Sequence, residues 1–405
     1  DPLPVRDAKL TTAYMKVVDH ALKRNLRGFD YNYIVNEFHR PIANQELLDD
    51  KLHSADLPKF NVIKDKHYAN GHLRAIELLS PPVKSRPTHL TDTLHYDWSL
   101  EPSAELPYVR DPNLRRKVHD AARSHKLDNA KMNFHNLENT IFDHARQLAH
   151  DIKRNAIDLS PYNQRLQPDR LHTKVVVQKV GKYKLRLIFG TTKDTSIFWC
   201  MFFWPYFRWL LYDRFRDPHN PLLWGCETLL GGWQKLNYHY LLNHLYNSTF
   251  VTSDLSDFDI RANFDLVDDC TEVWRDHFFD FEHGYIPTFE YPESKTDPQK
   301  LKNLFEFLRW SLKNIPFLHP SGKVFQRLYR YIPSGVFVTQ FLDSHYTPQG
   351  QKVLGYTNNN GFPECDWRQL LATLLHPKGT HPSFENLMSL CISLVWASIY
   401  ETNVV

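Results

Sequence analysis

From Thr195 to Phe207 the chain carries no charge, and aromatic residues such as Trp199, Phe202, Phe203 and Phe207 fill much of the run. Water cannot solvate such a segment cheaply, so other elements must surround it. Pro205 and Arg208 interrupt it before the roughly 20 residues that a membrane span requires. It therefore reads as a core element. A second uncharged run, Asn386 to Tyr400, is 15 residues long and reads the same way. With 405 residues the chain is long enough for two or three packed units around cores of that kind.

Composition narrows the class further. Hydrophobic residues make up 42% and aromatics 14%, which points to a globular chain, and only 14 glycines exclude collagen-like and glycine-rich classes. Lys and Arg number 49 against 46 acids, a net charge of +3, so a nucleic-acid partner would need a local basic groove. The five cysteines are widely spaced with no C-x-x-C pair, which fits a reducing compartment. Asp1-Pro2-Leu3-Pro4 does not open a signal peptide. The histidines show no metal-ligand spacing. Residues 1–160 are polar and mostly helical in pattern. The cations from Arg110 to Arg154 are interleaved with acids and read as a solvated helix face.

Three stretches carry chemistry. Lys174 to Gly190 alternates β-branched and basic residues about a turn at Gly181-Lys182, so it predicts a hairpin. Lys174, Lys179, Lys182, Lys184 and Arg186 face no acid within it, and Lys184 and Arg186 share one side of the second strand. Ser248 to Asp259 is a short β-rich run ending at Asp254. Asp257 and Asp259 follow, then helical spacing at Phe264, Val267, Thr271, Trp274 and Phe278. Carboxylates at a strand's end can meet a divalent cation without being buried unpaired. In Pro333 to Ser344, Ser334-Gly335 forms a turn, and Thr339 and Asp343 lie one helical turn apart.

In this order, the three resemble motifs F, A and B of viral RNA-dependent RNA polymerases. The wordings Ser-Asp-Leu-Ser-Asp-Phe-Asp, Thr-Gln-Phe-Leu-Asp-Ser and Leu-Arg-Leu-Ile-Phe-Gly look most like the polymerases of partitiviruses and related double-stranded RNA viruses. The resemblance implies an α+β right-hand polymerase fold: fingers and a partial palm, the palm an antiparallel sheet backed by helices, with no thumb. It divides the chain into an N-terminal extension with fingertips (1–160), fingers with the basic hairpin (161–245), palm with motif A (246–280), a fingers insertion (281–330) and palm with motif B (331–405).

The resemblance also implies roles. Asp254 would be the metal ligand for Mg²⁺ or Mn²⁺, and Asp259, catalytic beside it, would sense the ribose. Lys184 and Arg186 would contact the triphosphate. Ser334 and Gly335 would lie against nucleotide and RNA, with Thr339 and Asp343 in the ribose network. Asp343 stands where many relatives have Asn. Lys174, Lys179 and Lys182 would bind RNA. The expected partners are RNA template, nascent strand and nucleoside triphosphates, with a viral capsid protein in addition, and no membrane. The expected location is the host cytoplasm, within the virion.

After Ser344 the only acids are Glu364, Asp366, Glu385 and Glu401, so the Gly-Asp-Asp of motif C is missing. The expectation is that these 405 residues alone synthesise no RNA, because the record is truncated or a second polymerase chain carries motif C. Rival readings are a non-catalytic RNA-binding or structural viral protein, a phosphotransferase using Asp254, Asp257 and Asp259, and a reverse transcriptase.

Overall fold

The uncharged run forms most of a helix, Lys193–Trp209, in which Ile197 to Phe203 and Tyr206 are fully buried. Pro205 does not end this helix. It has no N–H to give the carbonyl of Met201, four residues earlier, and a helix normally kinks there. The backbone N–H of Thr88 takes that place, donating to Met201 O at 2.8 Å. Among the described residues, no helix is long and apolar enough to cross a membrane.

The computed structural model describes residues 8–39, 45–59, 61–99, 102–125, 130–154, 167–175, 178–179, 185–214, 258–343 and 345. In chain order the helices are α1 (Ala8–Asn25), α2 (Gly28–Glu37), α3 (Gln45–His53), α4 (Lys66–Leu79), α5 (Pro112–Ser124), α6 (Phe134–Arg154), α7 (Lys193–Trp209), α8 (Phe258–Arg261), α9 (Phe264–Val273) and α10 (Pro298–Asn314). The strands are β1 (Phe38–His39), β2 (Asp169–Val175), β3 (Gln178–Lys179), β4 (Leu185–Gly190), β5 (Phe317–Leu318) and β6 (Val324–Phe325). Backbone contacts divide the chain into a smaller unit (1–56, 172–188 and 367–405) and a larger one (57–171 and 189–366).

In the smaller unit, β1 pairs antiparallel with β3. Arg186 is exposed on β4 between buried Leu185 and Leu187, the alternation a half-buried strand requires. In the larger unit α7 packs against α6 and α10. Their apolar faces close a single aromatic-rich core with Trp274, Phe279, Phe305 and Phe341. Helix starts follow local chemistry. Asp65, Asp111, Asn263 and Asp297 each accept a backbone N–H of the first turn, and Pro112 and Pro298 stand just inside, where no N–H is needed.

The sheet order is β4-β2-β5-β6. Asp169 and Arg170 of β2 pair in parallel with Phe317 and Leu318, and β5 pairs antiparallel with β6. The described sheet is therefore mixed, and it is backed by helices. The long helical connection between β2 and β5 permits the parallel pair, which a hairpin cannot make. The motif A strand itself lies outside the described residues.

Candidate functional site

Asp259 sits in the one-turn helix α8, and the chain around it is tied to residues 329–332 by backbone hydrogen bonds. Ile332 N–H donates to Asp259 O, Tyr331 N–H to Ala262 O and Phe264 N–H to Tyr329 O, each at 2.9 Å. This ladder brings the segment before Ser334-Gly335 alongside Asp259, although the two are more than seventy residues apart in sequence. Gly335 has φ +111°, a conformation open to glycine at little cost. The chain then turns helical over 339–343. Thr339 Oγ1 donates to Pro333 O at 2.7 Å, closing the loop on itself and leaving the oxygen as an acceptor.

Asp343, one turn beyond Thr339, lies close enough to Asp259 for the two carboxylates to feel each other. Burial pushes the Asp343 carboxyl up to about 7, and the negative charge of Asp259 pushes the same way. A carboxyl held there is protonated for part of the time at neutral pH. It then donates a hydrogen bond, as an asparagine amide would, as well as accepting one.

The loop is also joined to the root of the basic hairpin. Phe189, the fifth residue of β4, donates its N–H to Ser334 O at 2.7 Å. Both meet a residue that sequence reasoning missed. Arg327 is 7% exposed and donates through Nη1 to Leu312 O and Tyr331 O, each at 2.8 Å, and through Nη2 to Ile315 O at 3.4 Å. Its guanidinium lies 5.7 Å from the ring centre of Phe189 and 5.9 Å from that of Phe264. Desolvation lowers its pKa to about 10, so it remains charged at neutral pH. The end of α10, the start of α9, the end of β4 and the loop before Ser334 thus meet on one buried cation. Tyr331 takes φ +92° there, a conformation strained for a non-glycine residue. Nothing in Phe325-Gln326-Arg327-Leu328 distinguishes this arginine from a solvated one.

Asp169, at the head of β2, is 2% exposed and was likewise not singled out. Burial pushes its carboxyl from an ordinary 3.8 up to about 7, and Glu105 adds to the push. The charge of Arg327 and the backbone N–H of Thr192 oppose it. The folded state thus holds this proton more tightly than the unfolded chain does. Its contribution to stability is complete below about pH 4, is lost as pH rises through about 7, and amounts to at most about 4 kcal/mol. Asp169→Asn is expected to flatten the pH dependence of the unfolding midpoint between about pH 4 and 7. Parallel wild-type and variant curves would remove Asp169 as its source.

Of the other residues singled out from the sequence, Asp254, Asp257, Lys182 and Lys184 lie outside the described residues, as does the run 386–400. Lys174 and Lys179 occupy backbone positions in β2 and β3. Ser334, Thr339, Asp259 and Asp343 come together in the larger unit, and Arg186 belongs to the smaller one. Among the described residues no group of three or more side chains could hold a metal ion.

No protein-family model matches the chain. Two curated viral proteins do. The RNA-directed RNA polymerase of White clover cryptic virus 1 (isolate Boccardo/2004) is 28% identical over 499 aligned residues, covering 95% of this chain and 79% of that protein. The alignment is longer than the chain itself, so that relative carries interior segments with no counterpart here. The RNA-directed RNA polymerase of Atkinsonella hypoxylon virus (isolate 2H) is 25% identical over 297 residues, covering 63% of this chain and 43% of that protein. Along nearly its whole length, the chain is homologous to viral RNA-directed RNA polymerases.

Proposed function

We propose that the chain carries out template-directed RNA synthesis as a viral RNA-dependent RNA polymerase, with the site built around Asp254, Asp259 and Asp343. The observation that carries this reading is the meeting of Asp259 and Asp343, brought together across a long stretch of sequence beside a Ser-Gly loop. In this reading the two carboxyl groups and the Thr339 oxygen would offer partners to a ribose hydroxyl. A nucleotide lacking the 2′-hydroxyl would leave those groups unpaired, which disfavours it. Arg186 and Lys184 would neutralise the triphosphate, and Ser334-Gly335 would lie against the nucleotide and RNA. The narrower placement among partitivirus-like enzymes rests on the wording of the three motifs.

Carboxylate oxygens are suitable donors for a hard divalent cation, so the acids in this region fit Mg²⁺ or Mn²⁺ in kind. Asp254 is the residue that would hold it. Such a cation, when bound, stabilises the charge that develops as a primer hydroxyl displaces pyrophosphate. No Gly-Asp-Asp follows the Ser-Gly segment within these residues.

The test is sugar selection. Asp259→Ala in the complete polymerase is expected to lower the preference for rNTPs over dNTPs by more than about tenfold, some 1.4 kcal/mol, while template binding is retained. An unchanged preference would dismiss the ribose assignment. Arg186→Glu is expected to raise the apparent KM for nucleotides about tenfold with a smaller change in kcat, as loss of a ground-state phosphate contact does. If KM and kcat both stay as in wild type, the hairpin is an ordinary solvated face.

A further inference from the structure

The cations after Arg110 are interleaved with acids in sequence, but the helix sorts them. Asp111 is consumed as the N-cap of α5, its Oδ1 accepting the N–H groups of Asn113 and Leu114 at 2.8 and 3.1 Å. Leu114 and Val118 turn inward to the core. The opposite face carries Arg116, His119 and Arg123 at spacings of three and four, flanked by Arg115 and Lys117. All five are exposed, as is Arg110 just ahead of the helix. Only Asp120 intrudes, 3.9 Å from Arg123 at a solvent-exposed edge, where such a pair is weak. Among the described residues, Arg110, Arg116 and Lys117 make no ion pair. Within 110–125 five cations stand against two acids, Asp111 and Asp120, so these sixteen residues carry as much net positive charge as the entire chain, +3.

We infer that this face of α5 binds RNA through its backbone phosphates. The inference rests on the polymerase reading, which makes RNA the polyanion at hand. The face suits no other macromolecule as well. It presents no apolar or aromatic anchor of the kind that centres a protein interface. The helix's apolar side is already buried in the core, so α5 cannot lie in a membrane surface as an amphipathic helix does. Arg116 to Arg123 spans about 10 Å along the axis, so the face can meet more than one phosphate of a strand at once. Contacts of this type position an RNA strand and do not read its sequence.

The experiment measures binding of the 405-residue chain to a short labelled single-stranded RNA and to a blunt RNA duplex across a salt series. Arg116→Gln, Lys117→Gln and Arg123→Gln are combined in one variant, and Arg116→Lys with Arg123→Lys in a charge-preserving one. The inference expects the glutamine variant to bind at least one probe tenfold or more weakly, with unchanged circular dichroism. The slope of log K against log salt should become shallower by about 2 on the single strand, and the lysine variant should bind as wild type does. The probe that is affected tells whether the face holds a single strand or a duplex. Equal affinity and slope for both probes would overturn the inference, as would a loss that the lysine variant shares or a wild-type chain that binds neither RNA. Nucleotide incorporation by the complete polymerase tests the catalytic reading separately. If incorporation and sugar selection behave as proposed while the glutamine variant binds RNA normally, only the role of α5 fails.

Discussion

Asp254→Asn is expected to abolish nucleotide incorporation by the complete polymerase, a loss of at least about a thousandfold, or roughly 4 kcal/mol of transition-state stabilisation. The change removes one negative charge and keeps the shape. A divalent cation is held by oxygen ligands whose charge opposes its own, and an amide oxygen supplies far less of that charge. The reaction gathers negative charge on the attacking and leaving oxygens, so losing a metal-holding carboxylate acts on the transition state more than on RNA binding. RNA affinity and circular dichroism should therefore stay near wild type. Incorporation within about tenfold of wild type, a cost of about 1.4 kcal/mol or less, would show that Asp254 has a substitute and is not the principal ligand.

Arg327→Ala is expected to destabilise the larger unit by about 3–5 kcal/mol, the range for removing one partner of a buried charge network. Three backbone carbonyls, of Leu312, Ile315 and Tyr331, would lose their donor. Two of these lie at the C-terminal end of α10, where carbonyls have no intrahelical partner and a cation is favoured. The rings of Phe189 and Phe264 would lose the guanidinium that packs on them. Arg327→Lys should recover only part of the loss, because one ammonium on a flexible stem cannot reach three carbonyls in a fixed fork. Urea unfolding measures both variants. A cost below about 1 kcal/mol for the alanine variant would mean that water satisfies the carbonyls, and that the Ser334-Gly335 loop does not depend on this arginine for its place.

The strand at 185–190, the core run and the helix after Asp259 were legible because each is written at a single periodicity; the expected turn at Gly181-Lys182 lies outside the described residues. Alternation at two puts Leu185 and Leu187 inside and Arg186 outside. Apolar spacing of three and four forms α9, with Leu266, Val267 and Cys270 buried. Pro205 keeps the run short of a membrane span, as its local rule implies. The donor that satisfies the Met201 carbonyl in its place, the N–H of Thr88, lies more than a hundred residues away and leaves no trace in the local sequence. The smaller unit's β1–β3 pair and the parallel β2–β5 pair escaped notice for the same reason. Strand pairs of two residues leave no pattern long enough to see.

The sequence by itself determined which residues are candidates: the order of the basic hairpin, the aspartates and the Ser-Gly segment, and the amphipathic face of each helix. These are properties of neighbours along the chain, set by backbone geometry with periods of two and 3.6. Only the tertiary structure decided which of them meet. Asp259 beside Asp343, Phe189 on Ser334, and Arg327 gathering four segments are contacts between residues far apart in sequence. Burial gives those contacts their chemistry, because an arginine or aspartate is written identically whether it is solvated or enclosed. Enclosure, with Glu105 and Asp259 pushing the same way, lifts the carboxyl pKa values of Asp169 and Asp343 to about 7, and it commits Arg327 to the carbonyls around it.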